Sequence, residues 1–298
     1  MNLKTRLLQR LLFSINSFIP DALYLKWIYR IKMGRRLNLN DPLTFTEKIQ
    51  WLKLNDRKPQ YTSLVDKYAV KKIVAARIGE QYIIPTIGEW SSVDEIDWKA
   101  LPNQFVLKTT HGGGSGGVIV CNDKSRLDID KAKKKLKKSM NTEIYPLLRE
   151  WPYKNVTKKI IAEKYLSDHK NKDLIDYKWY CFNGEPRFCQ VIRDRNSSET
   201  IDFYDEEWGH QEFTGLLAID DNIGMKPLQE PATLKEQFLI AKELSKDLSP
   251  FVRVDLYEIE GKVYFGELTF YPASGLGFFE PKEWDLKLGQ MIRLPLSV

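Results

Sequence analysis

Apolar residues recur at helical spacing in two segments of the first third of the chain. The first runs from Thr44 to Leu54 and opens like a capping box, because Thr44 is followed three residues later by Glu47. The second begins near Ser63 and runs to Gly79, where glycine can leave a helix in the left-handed conformation. Both segments are predicted to be helices, and so is "PATLKEQFLIAKELSKDL" further along the chain.

Shorter apolar runs bounded by turn residues predict strands. Residues 105–108 and 118–121 form two such runs on either side of the loop "HGGGSGG". The segments "IIAEKYL" and "DYKWYCFNGEPRFCQVIRDR" also indicate strands, with "NGEP" as a turn. A β-hairpin with its turn at Glu260 and Gly261 is predicted for "FVRVDLYEIEGKVYFGELTF". Helices and strands are mixed, which predicts an α/β (α+β) fold.

The glycine-rich loop favours phosphate binding over a merely flexible hairpin. Glycines leave backbone N–H groups open to a polyphosphate, and Lys108 and His111 stand where a cation can meet it. The loop neither opens a helix as GxGxxG nor reads GxxxxGK[ST], which disfavours Rossmann and P-loop folds. The glycines concerned are Gly112, Gly113, Gly114, Gly116 and Gly117.

Two carboxylates in the last hairpin indicate a magnesium site. Asp255 and Glu267 lie on paired strands and can project from one face, and Thr269 returns to that face two residues later. Hard oxygen ligands are those that Mg²⁺ prefers. Such carboxylates are more often surface charges, but these two stand between apolar residues, and burial would demand a partner.

Composition describes a soluble protein. The 298 residues are 43% hydrophobic and 29% charged, with a net charge of +6 and a mean hydropathy of -0.41. Three scattered cysteines indicate neither disulfides nor a zinc site, and no apolar run reaches the ~20 residues that span a bilayer. We therefore expect a cytoplasmic protein. The basic run around residues 131–138 is better explained by a solvated helix face than by nucleic-acid binding.

Residues 1–40 mix leucines and phenylalanines with lysines and arginines in an amphipathic pattern. A helix packed on the protein's own core is the commoner outcome of such a pattern. The alternative is a helix lying on an anionic membrane surface, which would associate the protein peripherally with the inner face of the plasma membrane.

Taken together, the motifs resemble the ATP-grasp superfamily. The string "TFTEKIQWLKL…DKYAVKKIV…FVLKTTHGGG…DYKWYCFNGEP…RVDLY…FGELTFYP" is similar to its TupA-like (teichuronopeptide biosynthesis-like) branch, which is associated with surface-polysaccharide biosynthesis, and spans roughly residues 41–289. The resemblance implies a nucleotide held between two subdomains that contain antiparallel sheets, preceded by an N-terminal helical segment. The implied segments are residues 1–40 (helical), 41–103 (substrate region), 104–166 (glycine-rich flap) and 167–298 (metal-binding carboxylates).

The resemblance also implies roles for single residues. Lys67 and Lys108 match the lysines that hold ATP phosphates, and Asp255 and Glu267 match the ligands of Mg²⁺ (or Mn²⁺). Thr269 stands where the superfamily usually has asparagine, which puts a second metal ion in doubt. The implied ATP contacts are Lys67, Lys108, His111, Gly112, Gly113, Gly114, Ser115, Gly116, Glu163, Lys164, Tyr165, Leu166, Asp176 and Lys178. Among these, residues 163–166 match the hinge segment that recognises adenine in the superfamily.

The implied activity is that of an ADP-forming carboxylate-amine ligase that acts through an acylphosphate. The implied partners are ATP, a uronic-acid carboxylate on a bacterial surface glycan, and an amino acid or amine. Lys108 and Arg253 are the candidates for γ-phosphate contacts. Arg193 and Arg195 alternate along a strand and are candidates for clamping the substrate carboxylate, or else they form a solvated charge cluster. A sugar kinase on the same fold and a non-catalytic nucleotide-binding module are the alternatives.

Overall fold

The computed structural model describes residues 18–114, 116–168, 174–194, 199–217 and 226–295. The predicted amphipathic segment therefore lies outside the described residues up to residue 17, and so do Ser115 and Arg195. Its later part is a helix, α1. Among the described residues, no helix is both long and apolar enough to cross a membrane.

Helices and strands are mixed along the chain, as the sequence predicts. The helices are α1 Asp21–Met33, α2 Phe45–Asn55, α3 Tyr61–Val65, α4 Ala69–Ile78, α5 Ile129–Met140, α6 Tyr145–Leu148, α7 Leu234–Ser245 and α8 Glu283–Met291. The strands are β1 Thr86–Trp90, β2 Phe105–Thr109, β3 Val118–Cys121, β4 Ile160–Lys164, β5 Asp176–Phe182, β6 Glu185–Arg193, β7 Thr200–Asp205, β8 His210–Gln211, β9 Thr214–Leu217, β10 Phe251–Ile259, β11 Lys262–Thr269 and β12 Phe278–Glu280.

The chain divides into two compact units that are interleaved in sequence. The larger unit consists of Met1–Arg57, Pro146–Trp151 and Asp168–Val298, and the smaller unit of Lys58–Tyr145 and Pro152–Ser167. The predicted substrate region, residues 41–103, is divided between them at residue 57. The four segments suggested by the sequence stay a prediction.

The smaller unit is built on an antiparallel sheet in the order β1-β4-β2-β3. Strand β2 alternates as a half-buried strand should. Phe105 and Leu107 are buried in a core that includes Leu136 of α5. Val106 and Lys108 therefore project from the opposite face, and this alternation turns the predicted lysine away from the core.

One predicted helix is wrong as a single element. The segment from Ser63 to Gly79 is divided between α3 and α4. Both helices bury apolar residues, which is why the sequence showed apolar residues at helical spacing along the whole segment. The cause is Asp66, whose Oδ1 accepts hydrogen bonds from the backbone N–H groups of Tyr68 (2.8 Å) and Ala69 (3.1 Å). Aspartate at such a position starts a new helix by satisfying its first N–H groups.

The larger unit is built on an antiparallel sheet in the order β11-β10-β5-β6-β7-β8, with β12 and β9 paired separately. Strand β5 is buried along its whole length, as befits a strand inside the sheet. Helix α2 packs on this unit through Phe45, whose ring makes edge contacts with Phe251 and Phe279. Its predicted capping box is confirmed, with Thr44 and Glu47 satisfying each other's backbone N–H groups.

Helix α2 also fixes the turn at Pro272–Gly275, which follows β11 after two intervening residues. Gln50 Nε2 donates to the carbonyl oxygens of Ser274 and Gly275, each at 2.9 Å. The fully buried Lys53 donates to Ser274 O (2.8 Å) and Ser274 Oγ (2.6 Å). Burial lowers the pKa of Lys53 to about 8. The turn needs such support because Ala273 and Ser274 both have positive φ, which costs an L-residue roughly 1–2 kcal/mol.

Replacing Gly275 with alanine should destabilise the larger unit more than a left-handed glycine alone explains. Gly275 has φ +61°, and an added Cβ would lie 2.6 Å from Ile49 Cγ2 and from Gln50 Nε2. We expect a loss of roughly 2–5 kcal/mol in the free energy of unfolding, the sum of left-handed strain and overpacking. Urea unfolding followed by circular dichroism measures it.

Gly261→Ala is the matched control. Gly261 has φ +75° but nothing within 4 Å of an added Cβ, so only the left-handed strain of roughly 1–2 kcal/mol applies. Equal losses in the two variants would show that the contact with α2 does not matter.

Candidate functional site

A buried carboxylate joins two lysines in the smaller unit. Glu163 of β4 is 5% exposed. Its Oε1 lies 2.5 Å from Lys71 Nζ on α4, and its Oε2 lies 2.6 Å from Lys108 Nζ on β2. The register pairs Glu163 with Val106, so Lys108 is its diagonal neighbour on the same face of the sheet. Three elements thus meet at one ion cluster.

The charges in this cluster depend on one another. Burial alone would raise the pKa of Glu163, but Lys108 and Lys71 together hold it below its ordinary value. Burial lowers the pKa of Lys71, and Glu163 opposes that shift. Lys71 Nζ also donates to Ile84 O (2.7 Å) and Thr86 Oγ1 (2.9 Å). The cluster carries a net positive charge, since two ammonium groups surround one carboxylate.

Lys71 is the residue that the sequence analysis missed. It stands four residues after Lys67 in "DKYAVKK", and α4 begins between them. The backbone N–H of Lys67 donates to Thr110 O (3.0 Å), at the base of the glycine-rich loop. A phosphate contact by Lys67 stays a prediction. The signal that the sequence offered for Lys71 was its place in the same basic motif as Lys67, a few residues after "DK".

The loop glycines fall into two groups. A Cβ at Gly112 would lie 2.9 Å from Thr109 Oγ1, and one at Gly117 would lie 2.1 Å from the same atom. Protein packing therefore explains both. At Gly113, Gly114 and Gly116 an added Cβ would meet nothing within 4 Å. Gly114 has φ +64°, a backbone conformation that favours glycine. Neither packing nor backbone conformation requires glycine at positions 113 and 116, which leaves these two for the close approach of another molecule, as an anion cradle demands.

A cavity of about 330 Å³ lies beside the loop, within the smaller unit. His111, four of the loop glycines, Lys135 and Lys138 belong to its lining. His111 itself is 4% exposed, and its Nε2 lies 3.1 Å from Ser139 O. Burial lowers the pKa of His111 below its ordinary value of 6.5, so it is neutral at pH 7 and cannot supply the cation suggested by its position. The two exposed lysines can.

The predicted hinge follows the ion cluster directly. Strand β4 ends at Lys164, whose backbone N–H donates to Pro85 O (3.0 Å). Tyr165 and Leu166 come next and are half-buried. Adenine recognition by this segment stays a prediction.

In the larger unit, Asp255 of β10 is the centre of a second ion cluster. The guanidinium of Arg253 contacts both its oxygens, with Nε 2.6 Å from Oδ1 and Nη2 2.7 Å from Oδ2. Lys178 Nζ of β5 lies 2.5 Å from Oδ2 and 3.4 Å from Asp176 Oδ1. Asp255 is 2% exposed, and such a buried carboxylate needs these cations.

The predicted metal ligands share this face of the sheet. The register sets Asp255 opposite both Glu267 and Lys178. Thr269 Oγ1 donates to Glu267 Oε1 (3.2 Å) and accepts from Arg253 Nη2 (3.3 Å).

Three hard oxygen donors are thus adjacent, which fits Mg²⁺ in chemistry. In the structure Arg253 and Lys178 balance the charge of Asp255, so a metal ion would share Asp255 with those cations. Among the described residues, no group of three or more His, Cys, Asp or Glu side chains is close enough to hold a metal unaided.

The structure does not bring Arg193 to this face. Lys178 is opposite Gln190 on β6, and Arg193 is three residues further along the same strand. Because side chains alternate between faces, Arg193 points to the other side of the sheet. There its Nη2 lies 3.1 Å from Oδ2 of the fully buried Asp202, which also contacts His210 (2.9 Å). Holding Asp202 explains Arg193 structurally.

A family model described as TupA-like ATPgrasp matches residues 47–293, most of the chain. The chain belongs to the TupA-like ATPgrasp family. Both the resemblance stated from the sequence and the α/β ATP-grasp fold class are confirmed by this match. The comparison with curated proteins gives no significant match.

Solved structures of other ATP-grasp family members match with low identity. The D-alanine–D-alanine ligase of Helicobacter pylori is 17% identical, with 84% of this chain and 69% of that one covered and a TM-score of 0.47. That of Bacillus anthracis, complexed with ATP, is 18% identical, with 70% and 53% covered and a TM-score of 0.39. For N5-carboxyaminoimidazole synthetase from Staphylococcus aureus the values are 15%, 70%, 44% and 0.40. The chain thus spans about half of the length of two of these three.

Alanine substitutions should separate the two groups of loop glycines. Gly113→Ala and Gly116→Ala place a methyl group in open space, so the free energy of unfolding should change by less than ~1 kcal/mol. Gly117→Ala forces its Cβ against Thr109 and Ser139 and should cost roughly 1–3 kcal/mol. Thermal unfolding of the three variants measures the difference, and a larger loss in Gly113→Ala would contradict the grouping.

Glu163→Gln should change how stability depends on pH. The folded pKa of Glu163 lies below its ordinary value of 4.5, so its stabilising contribution is complete above that value and is lost as the pH falls through the folded pKa. The variant leaves Lys71 and Lys108 facing each other, and we expect it to lose roughly 3–5 kcal/mol at pH 7, as for a broken buried pair.

Urea unfolding at pH 7 and at acidic pH tests this. The gap between wild type and variant should narrow as the pH falls below 4.5. Glu89→Gln, which removes an exposed partner of Lys159, is the control and should show little change at either pH. A gap that is independent of pH would show that Glu163 does not carry its charge in the folded protein.

Proposed function

We propose that the protein is an ATP-dependent, ADP-forming carboxylate-amine ligase. The observation that carries this proposal is the cluster of Lys71, Glu163 and Lys108, in which Lys108 lies on the strand that leads into the glycine-rich loop. Two ammonium groups held by one buried carboxylate, next to glycines that protein packing does not require, suit a polyphosphate and little else. Membership of the ATPgrasp family supports the same conclusion.

Lys71 and Lys108 would neutralise charge on the phosphates of ATP. Glu163 holds both ammonium groups in place, so that binding does not require ordering two long side chains at that moment. Backbone N–H groups of the loop would donate to phosphate oxygens. The adenine contacts of residues 163–166, and the contacts of Asp176 and Lys178, are part of the proposal.

Asp255, Glu267 and Thr269 would hold Mg²⁺ (or Mn²⁺), and the bound ion would neutralise charge on phosphate oxygens. Arg253 lies against Asp255 and Thr269 and remains charged, because Asp255 raises its pKa against the effect of burial. It would therefore orient the carboxylate ligand and supply a fixed positive charge for the γ-phosphate.

The reaction would proceed in two steps. An oxygen of the substrate carboxylate attacks the γ-phosphorus, the bond to ADP breaks, and an acylphosphate forms. An amine then attacks the acyl carbon and releases inorganic phosphate, which leaves an amide and transfers the amine proton to solvent. Phosphoryl transfer needs positioning and charge neutralisation more than a protein nucleophile, which agrees with the content of both clusters.

The proposed acceptor is a uronic-acid carboxylate of a bacterial surface polysaccharide, and the amine is an amino acid or a related compound. The TupA-like branch supports this choice. Phe270, Tyr271 and Phe279 follow the metal-binding strand but are buried, so the proposal assigns them to packing. The proposal places the reaction in the cytoplasm, with peripheral association at the inner face of the plasma membrane.

Calorimetry with Mg²⁺ and ATP is the first test of this proposal. Wild type should bind, and Lys108→Ala and Glu267→Ala should bind at least ~10-fold more weakly, because each removes a charged contact. Assay of ADP and phosphate with uronic acids and amino acids should show release that needs both co-substrates and falls at least ~100-fold in either variant.

Lys262→Ala and Glu260→Ala are the controls. Glu260 lies in the turn between β10 and β11 and Lys262 is the first residue of β11. Neither belongs to an ion cluster, so both variants should match wild type. Phosphate that stays on a sugar product would identify a kinase instead, and the absence of nucleotide binding by wild type would overturn the proposal.

A further inference from the structure

Positive charge is concentrated at the start of the chain. The first 40 residues contain eight Lys or Arg residues and one acidic residue, Asp21. The other 258 residues contain 38 basic and 39 acidic residues and are close to neutral. Asp21 is itself paired with Arg57 and Arg149. The net charge of +6 therefore comes from the N-terminal segment, and such asymmetry favours an anionic partner.

Helix α1 has apolar residues on two faces. One face is buried in the larger unit through Tyr24, Leu25, Ile28 and Tyr29. On another face Leu23 and Trp27, one turn apart, are 41% and 44% exposed, and Phe18 just before the helix is 87% exposed. A surface helix ordinarily turns polar residues to solvent, so this second apolar face needs an explanation.

Two basic residues share the exposed face. Lys26 and Arg30 are exposed, and positions 23, 26, 27 and 30 lie on one side of a helix by its period. Long basic side chains can reach outward while their stems cover apolar surface. Tryptophan and leucine next to lysine and arginine are typical of helices that lie in a membrane interface.

We propose that this face of α1, formed by Leu23, Lys26, Trp27 and Arg30, lies on an anionic phospholipid bilayer. Leu23 and Trp27 enter the boundary between headgroups and acyl chains. Lys26 and Arg30 contact the phosphates of the headgroups. A nucleic acid would use the basic residues but leave the exposed leucine and phenylalanine unexplained, and the charge asymmetry of the chain complements the negative surface of the inner leaflet.

The inference rests on the proposed location of the enzyme but not on its chemistry. Binding to vesicles needs neither nucleotide nor acceptor. Calorimetry with Mg²⁺ and ATP on the same preparations should give wild-type values for all α1 variants, because α1 contributes no residue to either ion cluster. The two proposals can therefore fail separately.

Sedimentation of the full chain with extruded vesicles tests the inference. Wild type should bind vesicles of phosphatidylglycerol and phosphatidylethanolamine, bind phosphatidylcholine vesicles weakly, and lose binding as salt is raised. Lys26→Glu/Arg30→Glu should lower the partition coefficient at least ~10-fold, since each basic residue near an anionic surface contributes substantially. Leu23→Ser/Trp27→Ser should also lower the partition coefficient, and the binding that remains should still weaken as salt is raised.

Matched controls separate this face from general effects. Leu239→Ser changes a leucine that is 56% exposed on α7, and Lys131→Glu/Lys134→Glu reverses two exposed charges on α5 that do not line the cavity beside the loop. Both should bind like wild type. All variants should melt at the wild-type temperature because the changed side chains are exposed.

Two results would overturn the inference in different ways. If wild type does not bind anionic vesicles, both the membrane role of this face and the proposed membrane location are wrong. If wild type binds but the α1 variants bind equally well, or the control variants lose as much binding as the α1 variants, this face of α1 is not the membrane contact. The membrane location would then depend on other residues.

Discussion

Glu163 can be buried only if cations remain beside it. An uncompensated carboxylate inside a protein costs several kcal/mol, and here Lys71 and Lys108 remove that cost from two different elements. The constraint runs in both directions, because two ammonium groups so close together need the carboxylate as well. Helix α4, strand β2 and strand β4 are therefore joined at one ion cluster. The glycine-rich loop begins at His111, just after Lys108 of that cluster along the chain.

The larger unit repeats this arrangement with different residues. Asp255 is buried between Arg253 and Lys178, and the planar guanidinium meets both carboxylate oxygens at once. Glu267 and Thr269 adjoin the cluster at its more open side. In each unit, a carboxylate that the sheet buries lies between two basic side chains.

Patterns local to the chain could be predicted, and contacts between elements could not. The capping box of α2 and the turn at Glu260 and Gly261 depend on neighbouring residues, so the sequence was enough. The break at Asp66 depends on its carboxylate accepting hydrogen bonds from backbone N–H groups instead of from water. The contact of Lys71 with Glu163 forms only in the folded chain, where α4 packs near β4. The face on which Arg193 lies could not be predicted for another reason, since alternation tells which residues share a face but not which face also carries Asp255.

The turn at Pro272–Gly275 is held through its carbonyl groups. Gln50 and Lys53 contact the oxygens of Ser274 and Gly275, while Ala273 remains exposed. Lys53 also contacts the hydroxyl of Ser274, and none of these hydrogen bonds depends on the side chain at position 273. A substitution at position 273 should therefore leave this support intact if the new residue accepts a positive φ, whereas a substitution at position 50 or 53 removes a contact and one at position 275 adds a clash. The geometry of this turn thus depends on a helix more than 200 residues earlier in the chain, whereas the exposed side chain at position 273 takes no part in that support.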